Sequence, residues 1–288
     1  MLSETYQTPG QLLLHLAIPS GEIEVETSPG EATHVELEAL TDSARELLQH
    51  TRMELRDRAG GHEVVVEVPS SRSSFFISFG RGPDFRLRIS CPPGAELDVQ
   101  TKSADVRARG VFGETLIKTA SGDITVEEIE GDARVKTASG DVSLDEVHGT
   151  TSVQTASGDL ALQRARGEVT GQLVSGDVWI RDALASVSMN TVSGDVRLDA
   201  VVEGAIDLNA ISGDIRVGVR RGSRVFVDCN SISGDMTSEL ELSDAPSEGG
   251  AEGPQVEVRG KTVSGDVILV RAAAAIAIDA GSPDGSGS

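Results

Sequence analysis

Apolar and polar residues alternate along most of this chain with the period of two that is typical of β-strands. The apolar spacing of three and four residues that an amphipathic helix needs is missing from the regular region. The pattern therefore predicts short strands with one inward face. In the stretch that begins at Ser121, the predicted inward residues are Ile124, Val126, Ile129, Ala133, Val135 and Ala138.

This strand pattern is set in an 18-residue repeat that is marked by the tripeptide Ser-Gly-Asp. If the serine is position 1, the predicted inward positions are 4, 6, 9, 13, 15 and 18, and glycines nine residues apart divide each unit in two. Glycine permits positive φ, and serine and aspartate side chains close turns by accepting backbone N–H bonds, so the tripeptides are predicted to be structural turns. The evenly spaced copies are Ser121-Gly122-Asp123, Ser139-Gly140-Asp141, Ser157-Gly158-Asp159, Ser175-Gly176-Asp177 and Ser193-Gly194-Asp195. Later copies begin at Ser212, Ser233 and Ser264, and a degenerate copy begins at Ser103.

A repeat of this length indicates stacked coils. One unit supplies only two short strands, too few to offset its own ordering entropy, so neighbouring units must stack. We expect an all-β fold, a parallel β-solenoid of roughly nine coils that is about 40 Å long at about 4.8 Å per coil.

The chain divides into three predicted parts. Residues 1–100 form a β-rich N-terminal segment and cap, which includes the first coils if Ser20-Gly21-Glu22 is an early copy of the tripeptide. Residues 101–271 form the solenoid, with an acidic loop at 242–255, and residues 272–288 form a C-terminal cap and a disordered tail. Within the first part, Thr41 is predicted to cap a short helix over residues 43–49. The strands predicted there cover residues 11–18, 22–27, 34–39, 52–56, 63–68, 85–90 and 96–101.

Aromatic residues are scarce, at 3% of the chain, and they suggest two places for contacts. Phe75, Phe76 and Phe79 lie in a stretch rich in serine, glycine and arginine. Their rings either plug an open end of the solenoid or form a loop that docks a partner. Trp179, at position 5, is predicted to point outward, where it either makes a local contact or anchors an interface.

The stacked aspartates allow a second interpretation besides turn closure. Like charges about 5 Å apart repel, and bound calcium would relieve that repulsion. The candidate calcium column consists of Asp123, Asp141, Asp159, Asp177, Asp195 and Asp214.

Charge and cysteine content limit the classes of function. The net charge of −21, from 46 acidic and 25 basic residues, argues against nucleic acid or an anionic membrane as partner. The start of the chain has no secretory signal pattern, no long apolar segment predicts membrane insertion, and Cys91 and Cys229 suggest no disulfide framework, so a cytoplasmic location is expected. No zinc, phosphate-binding or nucleophile motif is present, so we expect neither an enzyme nor a cofactor.

With the repeats laid out, the chain resembles the bacterial domain-of-unknown-function family that is labelled putative adhesin. The likeness rests on units such as Thr119-Ala120-Ser121-Gly122-Asp123-Ile124 and Thr191-Val192-Ser193-Gly194-Asp195-Val196, and it covers about residues 8–270. The resemblance implies a right-handed parallel β-helix without assigned catalytic residues. A more distant similarity is to bactofilins, cytoplasmic β-helices that polymerise end to end.

These observations predict a non-enzymatic scaffold that presents repeat faces to a protein partner. Two alternatives stay open: a self-assembling solenoid like a bactofilin, and a calcium-stabilised surface adhesin.

Overall fold

The structure is a computed structural model that describes residues 1–69, 82–240 and 253–272. Its strands join in one 22-stranded sheet that is wound into a parallel solenoid. The N-terminal elements are β1 (Leu2–Gln7), β2 (Gln11–Thr27), β3 (Ala32–Ala39), α1 (Asp42–Leu48), β4 (Arg52–Arg58), β5 (Gly61–Glu67), β6 (Phe85–Cys91) and β7 (Ala95–Lys118).

The repeats that follow supply two strands per coil. In chain order they are β8 (Ile124–Ile129), β9 (Ala133–Ser139), β10 (Val142–Val147), β11 (Thr151–Ser157), β12 (Leu160–Ala165), β13 (Val169–Ser175), β14 (Val178–Ala183), β15 (Val187–Ser193), β16 (Val196–Val201), β17 (Gly204–Ser212), β18 (Ile215–Val219), β19 (Arg224–Ser233), β20 (Met236–Ser238), β21 (Gln255–Ser264) and β22 (Val267–Arg271).

Strands that follow a Ser-Gly-Asp tripeptide stack on one side of the solenoid, which we call face A, and strands that precede one stack on the other side, face B. On face A, β10 pairs in parallel with β8 and β12, and on face B β11 pairs with β9 and β13. The register puts equivalent residues side by side, as in the pairing of Val142 with Leu160. The predicted parallel solenoid is confirmed.

The core is a column of aliphatic side chains between the two faces. Positions 4, 6, 9, 13 and 15 are buried as predicted; Val126 and Val135, for example, are 0% exposed. The prediction for position 18 is wrong, because Ala138 is exposed and its neighbour Thr137 is the buried residue. The Thr137 hydroxyl donates to the Ser139 carbonyl at 3.0 Å, which satisfies the one polar atom that this inward residue brings to the corner.

The two glycines of each repeat have different reasons to be there. Gly176, in a Ser-Gly-Asp corner, has φ +132°, and a Cβ there would also lie 2.7 Å from the Gly158 carbonyl carbon in the adjoining coil. Gly167, in the other corner, has no positive φ, but a Cβ would lie 2.6 Å from the Gly149 carbonyl carbon. Close approach of stacked backbones therefore requires glycine at both corners, and positive φ is an added requirement at one.

The N-terminal segment is part of the same stack. The two strands expected at residues 11–18 and 22–27 are one continuous strand, β2, which lies between β7 on one side and β5 and β6 on the other. Ser20 pairs with Ser103, so the early tripeptide continues the corner column. The predicted helix is α1, and the Ala44 N–H donates to the Thr41 hydroxyl that caps it. Antiparallel strands close this end, because β3 pairs with β6, β1 with β3, and β4 with β5.

At the opposite end the stacking order departs from the chain order. The last two strands in the chain are inserted: β21 lies between β17 and β19, and β22 lies between β18 and β20. The outermost coil is therefore β19–β20, and the coil that we expected to be last lies beneath it. Because no described strand covers this coil, Met236 is 53% exposed at the position where Val267 in the next coil is 0% exposed.

Some predicted features fall outside the described residues. Phe75, Phe76 and Phe79 are among them, as are most of the predicted acidic loop and the predicted C-terminal cap and tail after Ala272. In the described ranges, no helix has the length and apolar composition needed to cross a membrane.

Candidate functional site

The aspartates of the Ser-Gly-Asp corners form a hydrogen-bonded ladder. In each coil the Asp carboxylate accepts the backbone N–H of the aspartate in the next coil, at 2.8–3.0 Å. A hydrogen bond to a charged acceptor is stronger than a neutral one, so each rung offsets part of the repulsion between stacked carboxylates. In stack order the members are Asp105, Asp123, Asp141, Asp159, Asp177, Asp195, Asp214, Asp266 and Asp235.

This ladder uses one carboxylate oxygen of every member except the outermost, Asp235, which only donates its N–H. Between residues 1 and 272, leaving out 70–81 and 241–252, no three His, Cys, Asp or Glu side chains come together in an arrangement that could hold a metal ion. The candidate calcium residues Asp123, Asp141 and Asp159 thus stand one above the other as acceptors for backbone N–H groups. These hydrogen bonds describe how the corners are closed, and calcium binding by the column stays a prediction.

An exposed apolar row runs beside the aspartate ladder, and we call it the apolar ridge. It consists of the residues that directly precede the serine of each tripeptide, which in the regular units is position 18, the position that was predicted to be inward. The first three are alanines, and from Val174 on they are valines or isoleucines that are 43–77% exposed. In stack order the ridge residues are Ala120, Ala138, Ala156, Val174, Val192, Ile211, Val263 and Ile232.

Trp179 lies on the outer side of face A beside this corner, in a shallow pocket that we call the Trp179 shelf. The lining residues are Asp177, Val178, Trp179, Asp195 and Arg197, around a volume of about 460 Å³. Trp179 is half-buried, and it is paired across the ladder with Arg197. The sequence predicts that this side chain points outward and makes a local contact or anchors an interface, but it does not identify Arg197 as its neighbour.

One carboxylate orients both planar groups of the shelf. The Trp179 indole N–H donates to Asp199 Oδ2 at 2.8 Å, and Arg197 Nε donates to Asp199 Oδ1 at 2.6 Å. The charge of Arg197 is therefore matched by Asp199. Asp177 and Asp195 form no ion pair with any residue in the described part of the chain, so the shelf keeps an excess of negative charge.

The two cysteines are free and lie in different parts of the stack. Cys91 is buried at the end of β6, and burial raises the pKa of its thiol to about 12. Cys229 is half-buried in β19, and burial raises its pKa as well. A raised pKa keeps both as thiols near neutral pH, which is the opposite of the activation that a nucleophilic cysteine needs.

Comparison with known proteins places the chain in a family. A family model described as Toastrack DUF4097 matches residues 13–270. The chain belongs to the Toastrack family. This agrees with the resemblance to a domain-of-unknown-function family with a solenoid fold. A search of curated proteins finds no match.

A search of solved structures finds similar chains at low sequence identity. A putative adhesin from Bacteroides fragilis is 13% identical, with a TM-score of 0.47, over 93% of this chain and 96% of its own. A putative lipid binding protein from Parabacteroides distasonis is 14% identical, with a TM-score of 0.44, over 93% of this chain and 97% of its own. A putative adhesin from Parabacteroides merdae is 12% identical, with a TM-score of 0.28, over 93% and 96%. These values transfer no ligand or activity to the present chain.

Proposed function

We propose that this Toastrack protein is a non-enzymatic scaffold that binds a protein partner along the Ser-Gly-Asp corner. The apolar ridge is the observation that carries the proposal. Single exposed apolar residues are normal on protein surfaces, whereas a contiguous row is typical of an interaction site. Val174, Val192 and Ile211 are 52%, 43% and 53% exposed on three successive coils.

The ladder makes this surface rigid before a partner arrives. Each ridge residue directly precedes a Ser-Gly-Asp corner whose backbone is tied to the next coil, as in the bond from Asp195 N–H to Asp177 Oδ1 at 2.8 Å. A preorganised surface loses little conformational entropy on binding, so more of its apolar burial contributes to affinity. The residues of the corner thus serve the fold and the interface together.

Site-specific photo-cross-linking tests the proposal. A photoreactive residue at position 192 is expected to cross-link a partner in host cells, and the same residue at position 130, an exposed site at the opposite corner, is expected to give no specific product. A photoreactive residue at position 211 should also cross-link the partner. Adding Val192→Lys to that variant should abolish the cross-link from position 211, because a charge would be buried in the contact. Equal yields from positions 192 and 130 would reject the corner as the interface.

A second candidate function, self-association, is favoured by the coil β19–β20, which no described strand covers. Its inward residues Val225, Val227 and Cys229 are only partly buried, and Met236 is 53% exposed. Because antiparallel strands close the other end, association through this coil would join two chains end to end and stop there. Light scattering over a range of concentrations distinguishes a pair of chains from the filament expected of a bactofilin-like protein.

We retain the cytoplasmic location as a proposal, which the two free cysteines support. Fractionation of host cells tests it: the protein should appear in the soluble cytoplasmic fraction, and recovery at the cell surface would favour the adhesin alternative.

A further inference from the structure

The Trp179 shelf joins an aromatic ring with two carboxylates that have no cationic partner among the described residues. The ring and Arg197 are both held by Asp199, through bonds of 2.8 Å and 2.6 Å. Because that carboxylate is already shared, Arg197 has its countercharge and leaves Asp177 and Asp195 uncompensated. All five lining residues belong to adjoining coils whose spacing the ladder fixes.

Such a site fits a cation better than an anion or a neutral apolar group. The face of an indole ring attracts guanidinium and ammonium groups that lie within about 6 Å of it. Two carboxylates beside the ring add direct ion pairing, and the net charge of −21 draws cations toward the surface. The shelf is less suited to a metal ion, because no three carboxylate, imidazole or thiol groups converge in the described ranges.

The neighbouring surface indicates what carries the cation. Val174 and Val192 precede the corners of Asp177 and Asp195, and they are 52% and 43% exposed. A ligand that covers the shelf therefore also meets an apolar surface on the other side of the same corner. An extended peptide with alternating basic and apolar side chains meets both requirements.

We infer that the Trp179 shelf receives a Lys or Arg side chain from an extended segment of the protein partner, while an apolar side chain of that segment packs on Val174 and Val192. The inference rests on the proposed scaffold function and names the chemistry of its partner. Trp179 supplies the cation–π contact, Asp177 and Asp195 supply the countercharge, and Asp199 positions the ring.

Trp179 is the only tryptophan of the chain, so its fluorescence reports on the shelf directly. The probe is the pentapeptide RVRVR, acetylated and amidated, titrated into the full-length protein at low ionic strength, with QVQVQ as its neutral counterpart. We expect RVRVR to change the fluorescence in a saturable way and QVQVQ to leave it unchanged. An equal response to both peptides would overturn the inference.

A pair of double variants separates the shelf from the general acidity of the protein. Asp177→Asn with Asp195→Asn should weaken RVRVR binding about tenfold, which lies within the range for two exposed charge pairs. The matched control, Asp123→Asn with Asp141→Asn, removes the same charge from the same ladder at least two coils from Asp177 and should weaken binding less than about twofold. Asparagine keeps a side-chain oxygen for the ladder, so both variants should fold. Equal losses in the two variants would reject a site at Trp179.

Two further experiments test the role of the Trp179 ring and whether the ligand is a peptide or a small cation. Trp179→Phe should retain more affinity for a labelled RVRVR than Trp179→Ala, because phenylalanine keeps an aromatic face; equal affinities would contradict the cation–π contact. Ethylguanidinium that bound as tightly as RVRVR would identify a small cationic ligand and overturn the partner-segment inference. If RVRVR does not bind the purified protein while position 192 still cross-links a partner in cells, the Trp179 shelf is not a cation site and the scaffold proposal is unaffected.

Discussion

Replacing the corner glycines by alanine tests the claim that close stacking, and not the turn alone, requires glycine in this repeat. Gly176 combines φ +132° with a position where a Cβ would lie 2.7 Å from the Gly158 carbonyl carbon. Gly167 has the close approach without the positive φ, and Gly30 has φ +139° with nothing within 4 Å of the added Cβ. The three sites therefore separate backbone strain from steric overlap.

The structure predicts that one of the three alanine variants loses more stability than the other two. Gly30→Ala adds only a disfavoured backbone conformation, which costs about 1–3 kcal/mol. Gly167→Ala forces a methyl group between two packed backbones, an overpacking cost of about 1–3 kcal/mol. Gly176→Ala meets both costs and should lose about 2–6 kcal/mol, the largest loss of the three.

Urea unfolding followed by far-UV circular dichroism gives the three free energies of unfolding. If Gly176→Ala does not accumulate as folded protein, Gly167→Ala and Gly30→Ala still test the argument, because each carries one of the two costs. A Gly176→Ala variant no less stable than Gly30→Ala would refute the claim that stacked backbones leave no room for a Cβ.

Three further predictions concern the ladder, the inward threonines and the buried thiol. Asp159→Ala should lower the free energy of unfolding by about 1–3 kcal/mol, because the Asp177 N–H loses its acceptor, and Asp159→Asn should lose less; equal losses in urea titrations would contradict the ladder. Thr137→Val should cost about 0.5–1.5 kcal/mol, because the Ser139 carbonyl loses a donor while the volume is kept, and an unchanged midpoint would show that this bond adds nothing. For Cys91, burial raises the folded-state pKa from 9.0 to about 12, so the folded chain holds more protons than the unfolded one in that interval, and stability should fall as pH rises above 9. Cys91→Ala should flatten this decline in urea titrations between pH 8 and pH 11 by up to about 1.4 kcal/mol per pH unit; parallel curves for the two proteins would contradict the assignment.

The repeat made most of the fold predictable. Alternation and an 18-residue period indicate both the strands and their parallel stacking, because each coil buries its aliphatic residues only against the next. Position 18 was predicted wrongly because alanine and valine there look like core residues, whereas the threonine before them turns inward and bonds the corner carbonyl. Thr119, Thr137, Thr155 and Thr191 repeat at one position, and that repetition was the available signal.

The stacking order at the C-terminal end could not be predicted from the repeat period. The tripeptides at Ser212, Ser233 and Ser264 look like three successive coils, yet Ser212 pairs with Ser264, and Ser264 with Ser233. The insertion of one coil between two others leaves the local pattern unchanged. The only sequence signal was the longer spacing of 21 and 31 residues between these tripeptides, which departs from one coil per 18 residues.

The Trp179 shelf was predictable only in part. The position of Trp179 in the repeat identified an outer-face residue, but its bond to Asp199 depends on two residues that lie 20 positions apart. The shelf also depends on Arg197, which occupies the same repeat position in the next coil. A sequence pattern that describes one coil does not show how unlike residues in adjoining coils combine.

Hydroxyl-radical footprinting in host cells and on the purified protein tests most directly the claim that the corner is the interface. Oxidation of Trp179, Val192 and Ile211 should be lower in cells than in the purified protein, because a partner covers them there. Leu40 and Phe226, which are 39% and 54% exposed away from the corner, should be oxidised equally in both samples. Unchanged oxidation at the corner, or protection confined to Phe226, would contradict the account.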